Sequence, residues 1–325
     1  MTLGIELARI TRPNPSSYYM IQWFPGHMHK ASKEFKNILP QVDLIIEVLD
    51  ARLPGSSENP MLTQLRKDKP SVKLLNKADL ADPQVLQQWQ DHLELQSGVK
   101  TLVCSQLDEV ANRLPVLCRS MIPARENRSN MIYAMIAGIP NVGKSTLINQ
   151  LAGRSIAKTG NEAALTRMQQ RIEISSELTL IDTPGMLWGN IINEASGYRL
   201  AASGAIRDSA LNIQDVGSFI AEFLIKKYPD ALRRRYEIEQ LPQNEIELLE
   251  IIARLRGCII SGGRVDLEKV SRLIIHELRE GEFGPICFES PQEFTAELAQ
   301  AEELAIEKIA KKAAKKAARK QSRRN

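Results

Sequence analysis

Residues 138–145 read GIPNVGKS, and this stretch decides the fold class of the chain. It fits the pattern G-x-x-x-x-G-K-[ST], whose glycines let backbone N–H groups turn inward around a phosphate. The apolar run MIYAMIA at 131–137 precedes it, and TLINQLAG at 146–153 follows with helical spacing. A strand, a glycine-rich loop and a helix in this order predict a phosphate-binding loop in an α/β fold.

The residue types of this loop predict how it holds phosphates and a metal ion. We expect Lys144 to reach the β and γ phosphates and the Ser145 hydroxyl to bind Mg²⁺. The first turn of the following helix adds its positive end to the site. The residues of this loop that we expect to contact nucleotide are Asn141, Val142, Gly143, Lys144, Ser145 and Thr146.

A second phosphate-side element lies at 178–185, LTLIDTPG. Its apolar residues predict a strand that ends at Asp182, which is placed to hold the Mg²⁺ shell. The Gly185 N–H is placed to contact a γ-phosphate and to sense its loss. DTPG alone is a common turn, but after a phosphate loop it indicates a switch element.

The base is indicated by NKAD at 76–79, which follows the strand-like VKLL. The Asp79 carboxylate can accept hydrogen bonds from guanine N1–H and N2–H, which adenine does not offer there. An unpaired buried acceptor costs about 1–3 kcal/mol, so the motif favours GTP and GDP over adenine nucleotides. Asn76 can bond the purine edge, and the Lys77 stem can cover the ring.

Two further contacts are predicted from position along the chain. The strand-like segment 101–106 places Cys104 and Ser105 at its end, where a second base-contacting turn belongs. A switch threonine that binds Mg²⁺ belongs between the phosphate loop and DTPG. Thr159 and Thr166 are candidates, and the strand-like 171–175 favours Thr166; a solvated loop hydroxyl is the alternative.

The order of these motifs is reversed relative to ordinary small GTPases, because the base-reading loop, NKAD at 76–79, precedes the phosphate loop at 138–145. This predicts a circularly permuted P-loop GTPase domain of α/β class, a mostly parallel sheet flanked by helices, with its site at the carboxyl ends of the strands. From about residue 190 the pattern becomes helical and predicts a small all-α domain. The predicted limits are 1–19 for a flexible extension, 20–190 for the GTPase domain, 191–291 for the helical RNA-binding domain and 292–325 for a Lys/Arg-rich tail.

Composition excludes several classes of protein. Of 325 residues, 43% are apolar and 25% are charged, and the apolar runs are strand-sized, so neither a membrane span nor a secretory signal is expected. The four cysteines have no metal-like spacing and are expected to be buried thiols in a reducing compartment. A transit peptide at the N-terminus stays open.

The positive charge is concentrated at the C-terminus. Residues 308–325 hold nine Lys or Arg and no acid, so the net +4 of the whole chain leaves −5 for residues 1–307. Basic residues recur there at three- and four-residue steps between alanines. We expect this tail to be frayed or disordered alone and to bind RNA phosphates, since alanine offers too little apolar area for a membrane surface. Arg233, Arg234, Arg235, Arg254 and Arg256 line either a phosphate-contacting face or a solvated helix side.

Six segments, in this order, resemble the YlqF/ribosome biogenesis GTPase A family. They are WFPGHMHKA at 23–31, DLIIEVLDARLPGSSENP at 43–60, NKAD, GIPNVGKST, DTPG, and RGCIISGGRVDLEKVSRLIIHELREGEFGPICFESP at 256–291. The resemblance implies a cytoplasmic GTPase that assists late maturation of the large ribosomal subunit and contacts its rRNA. It also implies a helical C-terminal part similar to RNA-binding ANTAR modules. A mitochondrial branch with the same motifs exists.

The resemblance also bears on catalysis. Met186 follows the DTPG glycine and cannot orient water, so intrinsic turnover is expected to be slow. His27 is the water-orienting group that the resemblance implies, and a helix-capping role is its alternative. Asn141 resembles the asparagine of potassium-activated GTPases, with a simple turn as its alternative. The Pro-Gly that the family places before the switch threonine is here Ala163-Ala164, which weakens the assignment of Thr166.

These inferences combine into one function and two alternatives. The chain is expected to be a GTP-hydrolysing factor that binds a large ribosomal subunit precursor and its rRNA, and that leaves after hydrolysis. It needs no membrane and is expected to be monomeric off the ribosome. The alternatives are a GTP-gated rRNA-binding module with incidental turnover, and a mitochondrial counterpart.

Overall fold

A computed structural model describes residues 21, 33, 35–105, 107–122, 131–155 and 170–321, with the side chains of 107, 108 and 312–321 left out. The strands are β1 (Leu44–Asp50), β2 (Ser71–Asn76), β3 (Val99–Cys104), β4 (Ile132–Gly138), β5 (Gln170–Ser175) and β6 (Leu178–Asp182). The helices are α1 (Pro54–Ser57), α2 (Pro60–Arg66), α3 (Pro83–Glu94), α4 (Leu107–Met121), α5 (Lys144–Leu151), α6 (Glu194–Ser203), α7 (Ile213–Lys227), α8 (Pro229–Tyr236), α9 (Glu245–Leu255), α10 (Leu267–Arg279) and α11 (Pro291–Gln321).

The six strands form one sheet in the order β3-β2-β1-β4-β6-β5. All neighbours are parallel except β5, which runs antiparallel to β6. Every residue of β1 and of β6 is buried, as expected for strands that helices cover on both faces. This arrangement confirms the predicted fold class.

The strand order explains how a reversed sequence makes one site. From β1 the chain first adds β2 and β3 on one side, and β4 then returns to the other side of β1. Such a reversal opens a crevice at the carboxyl ends of the strands. The strands that precede the two predicted base-contacting turns, β2 and β3, therefore lie on one side of β1. The strands that precede the phosphate loop and DTPG, β4 and β6, lie on the other side.

The helical region shares a continuous apolar core with the sheet. α7 and α10 approach closely at Gly217, where an added Cβ would lie 2.5 Å from the Ser271 side chain. The Asp266 side chain accepts from the Lys269 N–H and caps α10. A cap of this kind stabilises a helix by about 1 kcal/mol.

Helix α11 begins with a capping box. Ser290 Oγ accepts from the Glu293 N–H at 3.3 Å, and the Glu293 carboxylate accepts from the Ser290 N–H at 3.1 Å. Phe294 then packs edge-on against Trp89 of α3, with ring centroids 5.8 Å apart. The first turn of α11 therefore packs on α3, and the tail expected to be frayed is helical through residue 321.

No helix among the described residues is long and apolar enough to cross a lipid bilayer.

Candidate nucleotide-binding site

The phosphate loop joins β4 to α5 and needs glycine at two points. A Cβ at Gly138 would lie 2.7 Å from the Val48 carbonyl oxygen of the neighbouring strand. Gly143 has φ of +93°, a left-handed conformation that side chains disfavour, and α5 begins at the next residue. The loop therefore directs backbone N–H groups and a helix N-terminus to one point, as an anion site requires.

The base-reading loop contacts the phosphate loop directly. Asn76 Nδ2 donates to the Val142 carbonyl oxygen at 2.7 Å, and a Cβ on Gly143 would lie 2.4 Å from the same nitrogen. The last residue of β2 is thus seated against the turn that precedes α5. Two motifs that are distant in sequence meet at one place on the sheet edge.

Lys144 and Asp182 form a buried ion pair at the centre of the site. Burial lowers the pKa of Lys144, and the Asp182 charge opposes that shift. The second carboxylate oxygen of Asp182, Oδ2, is buried and finds no hydrogen-bond partner among the described residues. Ser145 is half-buried in the first turn of α5. Carboxylate and hydroxyl oxygens of this kind are the ligand types that a hard cation such as Mg²⁺ prefers.

The turn after β6 is fastened to the phosphate strand. Thr183 Oγ1 donates to the Ile136 carbonyl at 2.8 Å, and the Met186 N–H donates to the Gly138 carbonyl at 3.1 Å. Gly185 packs on the Pro140 backbone, where a Cβ would have only 3.1 Å. Met186 lies in the core with 1% of its surface exposed, so no side chain at this position reaches a water in the site.

The base-reading loop leaves its carboxylate open. Asp79 is exposed, and Lys77 has the left-handed conformation φ 60°, ψ 36°. Cys104, level with Asn76 in the sheet register, is buried, and Ser105 beside it is exposed. Burial, and then the Asp79 charge, raises the pKa of the Cys104 thiol. The end of β3 therefore lies beside the end of β2, three residues before Asp79.

Asn141 makes a contact that its sequence position did not predict. It has φ of +57°, and its side-chain Nδ2 donates to the Gly204 carbonyl at 2.8 Å. Gly204 is the left-handed residue that ends α6. The phosphate loop is therefore bonded directly to the helical region.

Two predicted site residues, His27 and Thr166, lie outside the described residues. Thr146 is exposed on α5. Of the five arginines assigned to either a phosphate-contacting face or a solvated side, all except Arg235 are exposed. Arg233, Arg235 and Arg256 lie within 4 Å of carboxylates of the helical region.

The sequence patterns assigned no role to Asp50 and Arg52. Lys77 Nζ donates to the Asp50 carboxylate at 3.2 Å, and Arg52 donates to the same carboxylate. The signal was present in LDARLP, an acid and a base placed directly after a buried strand. The sequence patterns also missed residues 286–289, which run beside the base-reading loop. The Ile286 N–H donates to the Leu80 carbonyl at 2.9 Å. No local pattern marks that contact.

Comparison with known proteins gives consistent matches. The family model described as 50S ribosome-binding GTPase matches residues 133–252, starting at β4 and leaving out the base-reading segment. Ribosome biogenesis GTPase A of Bacillus pumilus is 43% identical over 280 residues, 84% of this chain and 99% of that protein. The protein of the same name from Bacillus cereus is 40% identical over 292 residues, 88% and 99% of the two chains.

A solved structure of GDP-bound YlqF has the same fold. Its TM-score with this chain is 0.58 at 26% identity, and the alignment covers 80% of this chain and 99% of that one.

Proposed function

This chain belongs to the ribosome biogenesis GTPase A family, and from that premise we propose that it couples GTP hydrolysis to release from a large-subunit precursor. In its GTP form it binds the precursor and its rRNA, hydrolysis follows in the cytoplasm, and the GDP form leaves. It is monomeric off the ribosome and needs no membrane.

The ribosomal part of the proposal rests on the family, and one observation carries its nucleotide part: the 2.7 Å bond from Asn76 to the Val142 carbonyl. It joins the loop that carries Asp79 to the loop that carries Lys144. A guanine ring against Asp79 and phosphates against Lys144 are the two ends of one ligand, GTP or GDP. We therefore assign guanine reading to Asn76, Lys77 and Asp79, with Cys104 and Ser105 as the second turn.

Mg²⁺ is the metal that fits this site. The open Oδ2 of Asp182 and the Ser145 hydroxyl would hold it, with Thr166 completing the protein ligands. Bound there, Mg²⁺ would neutralise charge on the β and γ phosphates. Lys144 would then exchange its pairing with Asp182 for a phosphate oxygen.

Hydrolysis needs a group that orients water, and Met186 is buried in the core. We assign that role to His27, as the resemblance to the family implies; an imidazole can both donate and accept hydrogen bonds. We assign to Asn141 a monovalent cation, K⁺, beside the phosphates. Intrinsic turnover is accordingly slow, and a bound ribosomal particle accelerates it.

Calorimetry of the full chain with GDP, GTP and ADP, each with Mg²⁺, tests nucleotide choice. Binding of both guanine nucleotides at least tenfold tighter than ADP is expected. Equal affinity for ADP would overturn the assignment of the base pocket.

Hydrolysis and release are tested with His27→Ala, and His29→Ala serves as the matched control. His27→Ala should bind particles normally but neither hydrolyse GTP nor leave. Unaltered particle-stimulated turnover would contradict the assignment of His27. A His27→Ala variant that cannot hydrolyse GTP but still leaves the particle would instead favour a GTP-gated rRNA-binding module with incidental turnover.

The RNA partner is tested by crosslinking the chain, loaded with a non-hydrolysable GTP analogue, and sequencing the bound RNA. Reads should map to large-subunit rRNA and fall when residues 308–325 are deleted. Reads spread over messenger RNA would contradict a role in ribosome assembly.

A further inference from the structure

Asp50 is buried beneath the base-reading loop. It ends β1, lies level with Asn76 of β2, and is only 1% exposed. Its Oδ2 accepts from Lys77 Nζ at 3.2 Å and from the Arg52 guanidinium at 2.9 Å, and its Oδ1 accepts from Arg52 Nε at 3.0 Å. Burial by itself raises the pKa of Asp50, but Arg52 and Lys77 outweigh it and hold that pKa well below its usual range. The carboxylate is therefore a permanent anchor for two cations.

Arg52 connects this anchor to the helical region. Its guanidinium Nη1 donates to the Leu278 carbonyl in the last turn of α10 at 3.4 Å. Its backbone carbonyl accepts from the Phe288 N–H at 2.7 Å. Arg52 is 1% exposed, so no solvent competes for these bonds. Arg52 thus bonds to the sheet on one side and to α10 on the other.

Lys77 bonds to the same Asp50 carboxylate that Arg52 does. Its left-handed backbone is an uncommon conformation for a residue with a side chain and requires support from its surroundings. The side-chain ammonium finds that support in Asp50. Leu80, three residues on, is fixed by its bond from Ile286 and by contact with Gly281, where a Cβ would lie 2.6 Å from Leu80 Cδ2. Both ends of the base-reading loop are thus set by groups outside it.

We propose that Arg52 is a positioning residue for guanine binding: through Asp50 it holds Lys77 against the base, and through Leu278 it ties that loop to α10. This inference rests on the proposed function, because it takes Lys77 as a base contact. It adds a residue that does not touch the nucleotide, and it makes the helical region part of guanine affinity. By linkage, guanine binding also biases the contact between α10 and the sheet.

A purely structural role for Arg52 makes a different prediction, and the chain contains a matched pair for comparison. Lys73 of β2 pairs with Glu47 of β1 at 2.5 Å, and both side chains are 1% exposed. Asp50 and Arg52 are equally buried. Both pairs involve β1, but only one touches the base-reading loop. Loss of either pair lowers stability; only the loss of Arg52 acts on nucleotide affinity.

The test is a double-mutant cycle on the full chain, with GDP affinity measured by calorimetry at a temperature where melting curves show each variant folded. The variants are Arg52→Lys, Lys77→Ala and the double variant, with Lys73→Gln as the matched control. Arg52→Lys keeps a charge beside Asp50 but loses the forked geometry and the reach to Leu278. If Arg52→Lys does not fold, Asp50→Asn takes its place in the cycle.

Arg52→Lys should weaken GDP binding about tenfold or more, as the loss of a charged hydrogen bond does. In the Lys77→Ala background it should add less than twofold, because Arg52 acts through Lys77. Lys73→Gln should lower the melting temperature and leave GDP affinity within twofold of wild type. Additive effects of Arg52 and Lys77, or an Arg52 variant with wild-type affinity, would overturn the inference. A wild-type chain that does not bind GDP would instead overturn the proposed function.

Discussion

The side chain of Asn76 donates a 2.7 Å hydrogen bond to the backbone carbonyl of Val142, across 66 residues of sequence. Asn76 ends the base-reading strand, and Val142 lies in the phosphate loop. The bond holds the two loops side by side, as the proposed binding of one nucleotide across both requires. Because the contact depends on where β2 and β4 end, on either side of β1 at the same edge of the sheet, it does not depend on the order of the motifs along the chain.

Asp79→Asn should change base preference. An amide both donates and accepts, so it loses the two hydrogen bonds from guanine N1–H and N2–H and instead suits the C2 carbonyl of xanthine. Each charge-assisted bond is worth about 1.5–3 kcal/mol, so GTP affinity should fall at least tenfold. Calorimetry with GTP and xanthosine triphosphate measures the exchange. An unchanged preference for GTP would show that Asp79 does not contact the base. Asp91→Asn, on the exposed face of α3, is the control.

Gly143→Ala should block nucleotide binding, because its Cβ would meet Asn76 at 2.4 Å and its φ is +93°. Gly153→Ala is the matched control, with φ of +63° and open space around the added methyl. The control carries only the backbone penalty of about 1–2 kcal/mol in stability. We expect a loss of GDP affinity of tenfold or more for Gly143→Ala alone, measured by calorimetry. Equal affinities in the two variants would remove the special role of the Asn76 contact.

Asp182→Asn should uncouple GTP binding from Mg²⁺. The amide replaces the buried oxygen that has no partner with a neutral group, and it weakens the ion pair with Lys144. GTP affinity with Mg²⁺ should approach the value measured with EDTA, whereas wild type should bind at least tenfold more tightly with Mg²⁺. Asp208→Asn, which breaks a surface pair with Arg279, is the control. A wild-type response to Mg²⁺ in Asp182→Asn would assign the metal to other ligands.

Asn141→Ala should remove two properties at once. It deletes the 2.8 Å bond to the Gly204 carbonyl, and it removes the side chain that we assign to K⁺. Turnover of GTP in KCl should fall to the rate in NaCl, whereas wild type should be faster in KCl. A variant that keeps the preference for K⁺ would limit Asn141 to its contact with α6.

Acid should weaken the start of α11. Burial raises the pKa of Glu293, but hydrogen bonds from Lys227 and Ser290 outweigh it and hold the pKa below its usual value. A carboxylate with a depressed pKa stabilises the fold above its unfolded pKa, and that contribution is lost as pH falls through the folded value. Glu293→Gln should lower the melting temperature by about 1–2 °C at pH 7, and the difference should shrink towards pH 4. A difference that does not change with pH would exclude the carboxylate as its source.

The sequence predicted the sheet, its flanking helices and the segments that carry the phosphate, base and metal chemistry. Those signals are local: the glycines and Lys144 of the phosphate loop lie within one strand–loop–helix unit. Placing Asp50 and Arg52 required the fold. Asp50 and Arg52 are two residues apart in the sequence. Their partners are distant: Lys77 is 27 residues from Asp50, and Leu278 is 226 residues from Arg52.

The sequence alone was therefore enough to identify a guanine-nucleotide protein, because the NKAD and GIPNVGKS motifs are each a short continuous stretch. The contacts that hold the base-reading loop against the phosphate loop and against α10 are visible only in the folded chain. The bond from Asn76 to Val142 spans 66 residues and that from Arg52 to Leu278 spans 226. Such pairs become neighbours because β1 lies between β2 and β4 in the sheet, and because the last turn of α10 lies against Arg52. No local sequence pattern encodes that proximity.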